Sequence, residues 1–217
     1  MEYAQPLPTY LVENYRSWKG AGFSQDQGLF QSLMADGQKP PAMIISCCDS
    51  RVDPISIFGA KAGDAFIHRN IANFVPPYDP EGDSHGTSAA VEYAVTALKV
   101  SHLVVMGHSA CGGVAGCHAK CSGDAPALEA KDSFVGRWVE FLRPGYERVT
   151  ERGVPAEDQL RAMEQESVVV SLENLMGFPF VSEAVAKGDL TLHGLWIDIA
   201  EGNVLQYSSK TGSFAAV

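Results

Sequence analysis

Short apolar runs mark three candidate strands along this chain. They are AMIIS at residues 42–46, DAFIHRN at 64–70 and HLVVMG at 102–107. In the first and third runs the apolar residues continue without alternation, which indicates strands that are covered on both faces. Such strands are typical of a parallel sheet.

Apolar residues at helical spacing predict helices before, between and after these strands. The first helix begins at a capping box formed by Ser24 and Gln27 and ends at Gly37. The others are the run from Ala89 to Val100, a long helix from Pro155 to Met176 and a short one from Val181 to Lys187. Strands joined through helices predict an α/β fold with a mostly parallel central sheet covered by helices.

The C-terminal residues follow a different pattern. Residues 190–199 and 204–209 flank the turn AEGN, which predicts a hairpin that lies antiparallel at the sheet edge. Residues 76–86 and 119–132 are predicted loops. The length favours one domain over residues 1–217, with residues 1–35 as a helical N-terminal arm.

Charge and hydropathy narrow the range of partners. The net charge is −10 and no cluster of Lys and Arg occurs, which argues against binding to nucleic acid. There is no uninterrupted apolar segment of about 18 residues, and no basic start followed by an apolar stretch. We therefore expect no membrane partner and a cytoplasmic location.

Cysteine and histidine follow two of the predicted strands. Cys47 comes directly after AMIIS, and His108 and Cys111 come after HLVVMG. Because open α/β sheets bind ligands beyond the carboxyl ends of their strands, we expect these side chains at one rim. Two thiolates and an imidazole suit Zn²⁺, and three protein ligands leave a fourth position for water. The pattern is typical of a catalytic zinc site.

The two motifs around these residues resemble the signatures of the β-class carbonic anhydrases. CCDSR at 47–51 has the form Cys-x-Asp-x-Arg, and HSACGG at 108–113 begins as His-x-x-Cys. The segments GDAFIHRNIANFVPPYD and AAVEYAVTALKV are similar to the plant-type branch of that family, and the resemblance covers most of the chain. It implies a zinc lyase that reversibly hydrates CO2 to bicarbonate and a proton.

The resemblance also implies roles for individual residues. Carried over position by position, it makes Cys47, His108 and Cys111 the ligands of one Zn²⁺ per chain, and Asp49 with Arg51 a catalytic dyad. Asp49 is expected to orient zinc-bound hydroxide by accepting its hydrogen bond, while Arg51 keeps the carboxylate ionised and away from the metal. Cys48 is then a bystander.

By the same resemblance, a small apolar pocket receives the substrate. Its lining would be Phe66, Ile71 and Tyr93, with the Gln38 amide and the Gly112 backbone N–H as donors. Family members are dimers or higher even assemblies with active sites at the subunit interface. The resemblance therefore implies a homo-oligomer. The amphipathic segment YLVENYRSWKGAGF could lie across a neighbouring subunit rather than its own core, because an isolated helix of that length is marginally stable and needs a partner surface.

Three other uses of these residues are possible from the sequence. A phosphatase loop needs a cysteine and an arginine six positions apart, whereas Cys47 and Arg51 are four apart. A purely structural zinc site, with Asp49 as a fourth ligand, would make the protein a binding module, although such sites favour closed Cys/His sets. A second metal site is conceivable on one helical turn, but it has no fourth ligand nearby; its members would be Cys117, His118 and Cys121.

One departure from a branch of the family concerns regulation. In that branch bicarbonate inhibits by occupying a pocket between a tryptophan, the arginine of a His-Arg-Asn stretch and a tyrosine. The corresponding residues here are Ile44, Arg69 and Ile197. Isoleucine offers no donor, and an anion buried without donors is unfavourable. We therefore expect a water-bound zinc at neutral pH, with Asp49 on Arg51, and simple saturation by bicarbonate.

Overall fold

The N-terminal residues form a small helical unit of their own. The computed structural model describes residues 3–217 and divides them into two compact units after Gln38. The first unit contains α1 (Thr9–Gly20) and α2 (Gly22–Asp36). The ring of Trp18 lies 5.4 Å from that of Phe23 and 6.1 Å from that of Phe30. The single domain over 1–217 stays a prediction, and residues 1 and 2 lie outside the described part.

The predicted capping box of α2 is wrong. The helix begins at Gly22, and the Ser24 hydroxyl donates to the Lys19 carbonyl at 3.1 Å instead of capping a backbone N–H. The predicted end is confirmed, because Gly37 follows the last helical residue with φ 75°. Glycine adopts this left-handed backbone region without a steric penalty.

The second unit, residues 39–217, is built on one six-stranded sheet. Its strands are β1 (Ala42–Cys47), β2 (Ala65–Asn70), β3 (His102–His108), β4 (Thr191–Ile197), β5 (Val204–Ser208) and β6 (Ser213–Ala216). They lie in the order β2-β1-β3-β4-β5-β6, parallel from β2 to β4 and antiparallel from β4 to β6. The predicted α/β class with a mostly parallel sheet is confirmed.

Helices connect the strands and cover the sheet. They are α3 (Pro54–Phe58), α4 (His85–Glu92), α5 (Gly112–Cys121), α6 (Pro126–Glu129), α7 (Phe134–Val139), α8 (Arg143–Glu151), α9 (Ala156–Met176) and α10 (Pro179–Lys187). Among residues 3–217, no single helix has the length and hydropathy to cross a bilayer; α9 and α10 reach those values only as a pair bent by 88°.

Burial on both faces explains why the central strands are apolar throughout. Met43 and Ile45 of β1 join one core cluster, whereas Ile44 between them joins a cluster on the opposite face. Helix α9 packs closely on the first face, since a Cβ atom on Gly107 of β3 would lie 2.8 Å from a methyl group of Val168. Each fully buried side chain of this size contributes about 1.5–3 kcal/mol relative to exposure.

Several predicted boundaries need correction. The helix predicted from Ala89 to Val100 begins at His85 and passes into a π-helical turn over Tyr93–Leu98. The first turn of α4 is polar, but Thr87 in that turn is buried and accepts a hydrogen bond from Asn70. Pro155 precedes α9 as its N-cap, and α10 begins two residues before Val181. The predicted loop at 119–132 contains the end of α5 and all of α6.

The antiparallel C-terminal hairpin is confirmed, and one further strand extends the same end of the sheet. β4 and β5 pair antiparallel, as expected for 190–199 and 204–209. β4 also pairs in parallel with β3, and β6 covers the outer side of β5. The edge strand β6 has only four residues, of which Phe214 alone is a large apolar side chain, so it leaves little pattern in the sequence.

Candidate metal centre

The three predicted metal ligands meet at the carboxyl ends of β1 and β3. These strands pair in parallel with Ser46 opposite Met106, so Cys47 and His108 reach the same rim. Cys111 is the residue before α5 and completes the group. The Sγ atoms of the two cysteines are 4.0 Å apart, and one ligand atom of each residue lies within 4.8 Å of the others. All three side chains are buried.

A tight turn returns the chain from His108 to Cys111. Ala110 has φ 55°, an uncommon conformation for a residue with a side chain. Its carbonyl accepts a hydrogen bond from Arg51 Nη2 at 3.1 Å, which helps to hold the turn. Gly113 then allows a close approach, because a Cβ atom there would lie 2.7 Å from Ile71 Cγ2.

His108 presents an unpartnered nitrogen to this cluster. Its Nδ1 donates to the Ser109 carbonyl at 2.9 Å, so Nε2 carries the lone pair of the neutral ring. Nε2 is buried and has no hydrogen-bond partner among the described residues. Because a buried polar atom without a partner is unfavourable, this nitrogen is suited to a cation.

The electrostatics of the two thiols favour a cation in the same place. The Cys111 thiol lowers the pKa of Cys47 by donating to its thiolate, whereas the Cys47 thiolate and burial raise the pKa of Cys111. Both thiols therefore ionise together only with a positive charge beside them. Two thiolates and an imidazole are a donor set that fits Zn²⁺.

Asp49 and Arg51 form a bidentate ion pair beside the three ligands. Arg51 Nε donates to Oδ1 at 2.9 Å and Nη2 to Oδ2 at 2.7 Å. The Arg51 backbone N–H also donates to Oδ1, at 2.9 Å. These hydrogen bonds hold the pKa of Asp49 well below its usual range, so the carboxylate is charged.

Comparison with known proteins decides the family. A model of the family described as "Carbonic anhydrase" matches residues 42–204, which include all three candidate ligands and the Asp49–Arg51 pair. The chain belongs to the β-class carbonic anhydrases. It is 39% identical over 194 residues to beta carbonic anhydrase 3 of Arabidopsis thaliana, across 88% of this chain and 73% of that protein.

Other relatives agree with this assignment. A carbonic anhydrase of Synechocystis is 34% identical over 208 residues, across 95% of this chain and 73% of that protein. The solved β-carbonic anhydrase CcaA has a TM-score of 0.87 at 33% identity, covering 96% of this chain and 91% of the other. A tetrameric β-carbonic anhydrase of Sordaria macrospora has a TM-score of 0.75 at 32% identity, covering 95% and 98%.

The residues predicted to line a carbonic anhydrase pocket occupy separate elements. The rings of Phe66 on β2 and Tyr93 after α4 have centroids 5.9 Å apart. Ile71 follows β2 with 41% of its surface exposed, and Tyr93 is 50% exposed. Gly112 is the first residue of α5, where backbone N–H groups have no partner within the helix. Gln38 is an exposed residue at the end of the N-terminal unit.

The sequence did not predict the buried polar side chains that lie beneath the site. Glu164 of α9 accepts a hydrogen bond from the Cys111 backbone N–H at 3.3 Å, and burial raises its pKa. Asn73 donates to Ser167 at 3.2 Å and accepts from Ser171 through its carbonyl. The one available signal was a row of polar residues on the otherwise buried face of α9.

Arg69 of β2 has hydrogen-bond partners that the sequence did not predict. It corresponds to one member of an anion pocket, where it is expected to bind no anion beside Ile44 and Ile197, and both isoleucines are buried. The structure shows that its guanidinium donates to three backbone carbonyls instead. These contacts join residues of two different strands and a loop, and they leave no local signal in the sequence.

The remaining cysteines have hydrogen-bond partners other than the three candidate ligands. Cys48 is exposed, and its backbone N–H donates to the Asn70 carbonyl at 2.8 Å. Cys117 and Cys121 have Sγ atoms 3.9 Å apart on α5. His118 between them donates to Gln159 at 2.9 Å, so its ring is engaged elsewhere.

Proposed function

We propose that this protein reversibly hydrates CO2 to bicarbonate and a proton at one zinc ion per chain. The observation that carries the proposal is the unpartnered Nε2 of His108, buried with two thiols whose sulfur atoms are 4.0 Å apart. Cys47, His108 and Cys111 would hold the ion. Membership in the β-class carbonic anhydrases supports the reaction.

The protein residues around the ion have separable tasks. Zinc, when bound, supplies a Lewis acid that lowers the pKa of water to about 7 and so provides a nucleophile at neutral pH. The two thiolates offset the charge of the ion. The Ser109 carbonyl fixes the tautomer of His108 and thereby directs Nε2 toward the metal position.

Asp49 and Arg51 form the proposed dyad. Since Arg51 engages both carboxylate oxygens, neither oxygen is free to become a metal ligand. The carboxylate remains charged and acts only as a hydrogen-bond acceptor. In this role it accepts a hydrogen bond from the attacking oxygen and so orients it, which directs a lone pair of that oxygen toward the carbon of CO2.

The substrate is small and apolar, so its pocket needs apolar walls and few donors. We assign the walls to Phe66, Ile71 and Tyr93, and the donors to the Gly112 N–H and the Gln38 amide, as in the plant-type branch. The tilted Phe66 and Tyr93 rings, 5.9 Å between centroids, support a shared wall. CO2 and bicarbonate are accordingly the small-molecule partners.

The assembly is proposed to be a homodimer or a higher even homo-oligomer. The relatives from Sordaria macrospora are tetrameric. The exposed faces of Ile71 and Tyr93 also suit a subunit interface. Light scattering of active protein is expected to give at least the mass of a dimer, and an active monomer would contradict the assignment.

Stopped-flow measurement of CO2 hydration, with metal analysis of the same sample, tests the function. We expect saturable acidification that depends on CO2 and one zinc per chain. Protein that contains one zinc but does not accelerate hydration would instead have a structural zinc site. That result would refute the proposed function.

A further inference from the structure

We infer that Arg69 is a positioning residue that fixes the loop carrying Cys47 and Asp49. This inference goes beyond the proposed function and rests on it only for the activity measurements. Arg69 lies on β2 opposite Ser46, the residue before Cys47. From this neighbouring strand its side chain reaches the segment from the last residue of β1 to the start of α3, residues 47–53, which we call the ligand loop.

The guanidinium of Arg69 holds the ligand loop at three points. Nε donates to the Cys47 carbonyl at 2.9 Å. Nη2 donates to the Asp49 carbonyl at 2.7 Å and to the Val52 carbonyl at 2.8 Å. The planar group is half-buried, and one side chain therefore joins the start, middle and end of the loop.

Arg69 has no competing acidic partner in the described structure. Among residues 3–217, the ion pairs of arginine involve Arg51, Arg143, Arg148 and Arg152, and none involves Arg69. A charged donor to neutral carbonyls makes strong, directional hydrogen bonds. The arrangement therefore positions the backbone, because an arginine that only formed a surface ion pair would not donate to three carbonyls of one loop.

Asp49 is consequently held from two sides. Arg51 fixes its carboxylate, and Arg69 fixes its backbone carbonyl, which also accepts the Val52 N–H at 3.1 Å. If Arg69 is removed, the carboxylate keeps its partner Arg51 but the loop that carries both residues loses its anchor. Arg69 thus acts through Asp49 and the Cys47 backbone without touching the reacting atoms.

Two substitutions separate geometry from charge. Arg69→Gln is expected to lower kcat/KM by roughly 10- to 100-fold, since displacement of a reacting group by about 1 Å has costs of that order. Arg69→Lys should be similarly impaired, because an ammonium group cannot reproduce a planar fork across three carbonyls. Wild-type activity in Arg69→Lys would show that charge alone matters and would overturn the inference.

A double-mutant cycle tests whether Arg69 works through Asp49. Arg69→Gln in the Asp49→Asn background should lower kcat/KM by less than about twofold further, because the group that it positions is already disabled. If the two losses multiply although the zinc content is unchanged, Arg69 acts through neither Asp49 nor the Cys47 backbone and the inference fails. Arg148→Gln is the matched control, since the Arg148 guanidinium pairs with Glu166 and Glu173 of α9 and not with the ligand loop, and it should leave activity unchanged.

Hydrogen exchange provides a readout that does not depend on activity. In Arg69→Gln the Val52 amide should exchange faster, while amides of β3 keep wild-type rates. Unchanged exchange at Val52, or acceleration across β3 as well, would refute a local anchor. If the wild-type protein hydrates no CO2, the proposed function is wrong, and the exchange rates alone decide the inference about Arg69.

Discussion

Arg51 binds both carboxylate oxygens of Asp49, and its own backbone N–H reinforces one of them. The three donor–acceptor distances are 2.9, 2.7 and 2.9 Å. The carboxylate therefore stays ionised and has a fixed direction. In the proposed reaction this charge accepts one hydrogen bond from the attacking oxygen and does not bind the metal.

Asp49→Asn is expected to keep its zinc and to lose roughly 100-fold or more of its activity. The amide cannot act as a pure acceptor, and its NH2 group would face the donors of Arg51. Metal analysis and stopped-flow kinetics measure the two effects separately. Asp124→Asn, at an exposed position after α5, is the control and should behave as wild type. A fully active Asp49→Asn protein would remove Asp49 from the mechanism.

Asp53 is predicted to stabilise the protein through the helix that follows the ligand loop. Its Oδ2 accepts from the Ser56 N–H at 3.1 Å and from the Ser56 hydroxyl at 2.6 Å, which caps α3. Asp53→Ala should lower the free energy of unfolding by about 1 kcal/mol at neutral pH. Denaturant titration measures this change, and an unaltered midpoint would contradict the role of the cap.

The same cap gives a pH dependence with a defined sign. The Ser56 hydroxyl lowers the pKa of Asp53 in the folded state. The charge-dependent part of the stabilisation is therefore complete above the unfolded pKa of about 3.9, and it is lost as pH falls through the folded pKa. Asp53→Asn should retain much of the cap but lose this acid-dependent component.

Bicarbonate is predicted to inhibit by simple saturation. The side chains of Ile44 and Ile197 are buried and offer no donor, and the three donor contacts of Arg69 go to backbone carbonyls. An anion at this position would have to displace those contacts. A bicarbonate titration of activity near neutral pH should be hyperbolic. Steep sigmoidal inhibition, or a crystal structure with Asp49 bound to zinc, would place the protein in the other branch.

The spacing of apolar residues predicted the elements in which several apolar positions repeat. The apolar runs of β1 and β3 and the long spacing of α9 identified the sheet and its main covering helix. Helix α3 has five residues and β6 has four, too few for a period to be visible. The π-helical turn at Tyr93–Leu98 was also missed, because apolar spacing does not distinguish it from an α-helix.

Motifs predicted which residues meet, but not how they are held. The positions of Cys47, His108 and Cys111 after two predicted strands indicated that their side chains lie at one rim of the sheet. The left-handed backbone of Ala110 and the carbonyl contacts of Arg69 depend on tertiary structure and leave no local signal. The cytoplasmic location and the single-domain organisation stay predictions.

Metal content and CO2 hydration of Cys47→Ala beside Cys48→Ser test the central claim most directly. The two residues are neighbours, but only Cys47 belongs to the buried ligand cluster, whereas Cys48 is exposed. We expect Cys47→Ala to lose zinc and activity together, as should His108→Ala and Cys111→Ala, and Cys48→Ser to keep both. Stoichiometric zinc in Cys47→Ala, or loss of zinc in Cys48→Ser, would contradict the proposed metal centre.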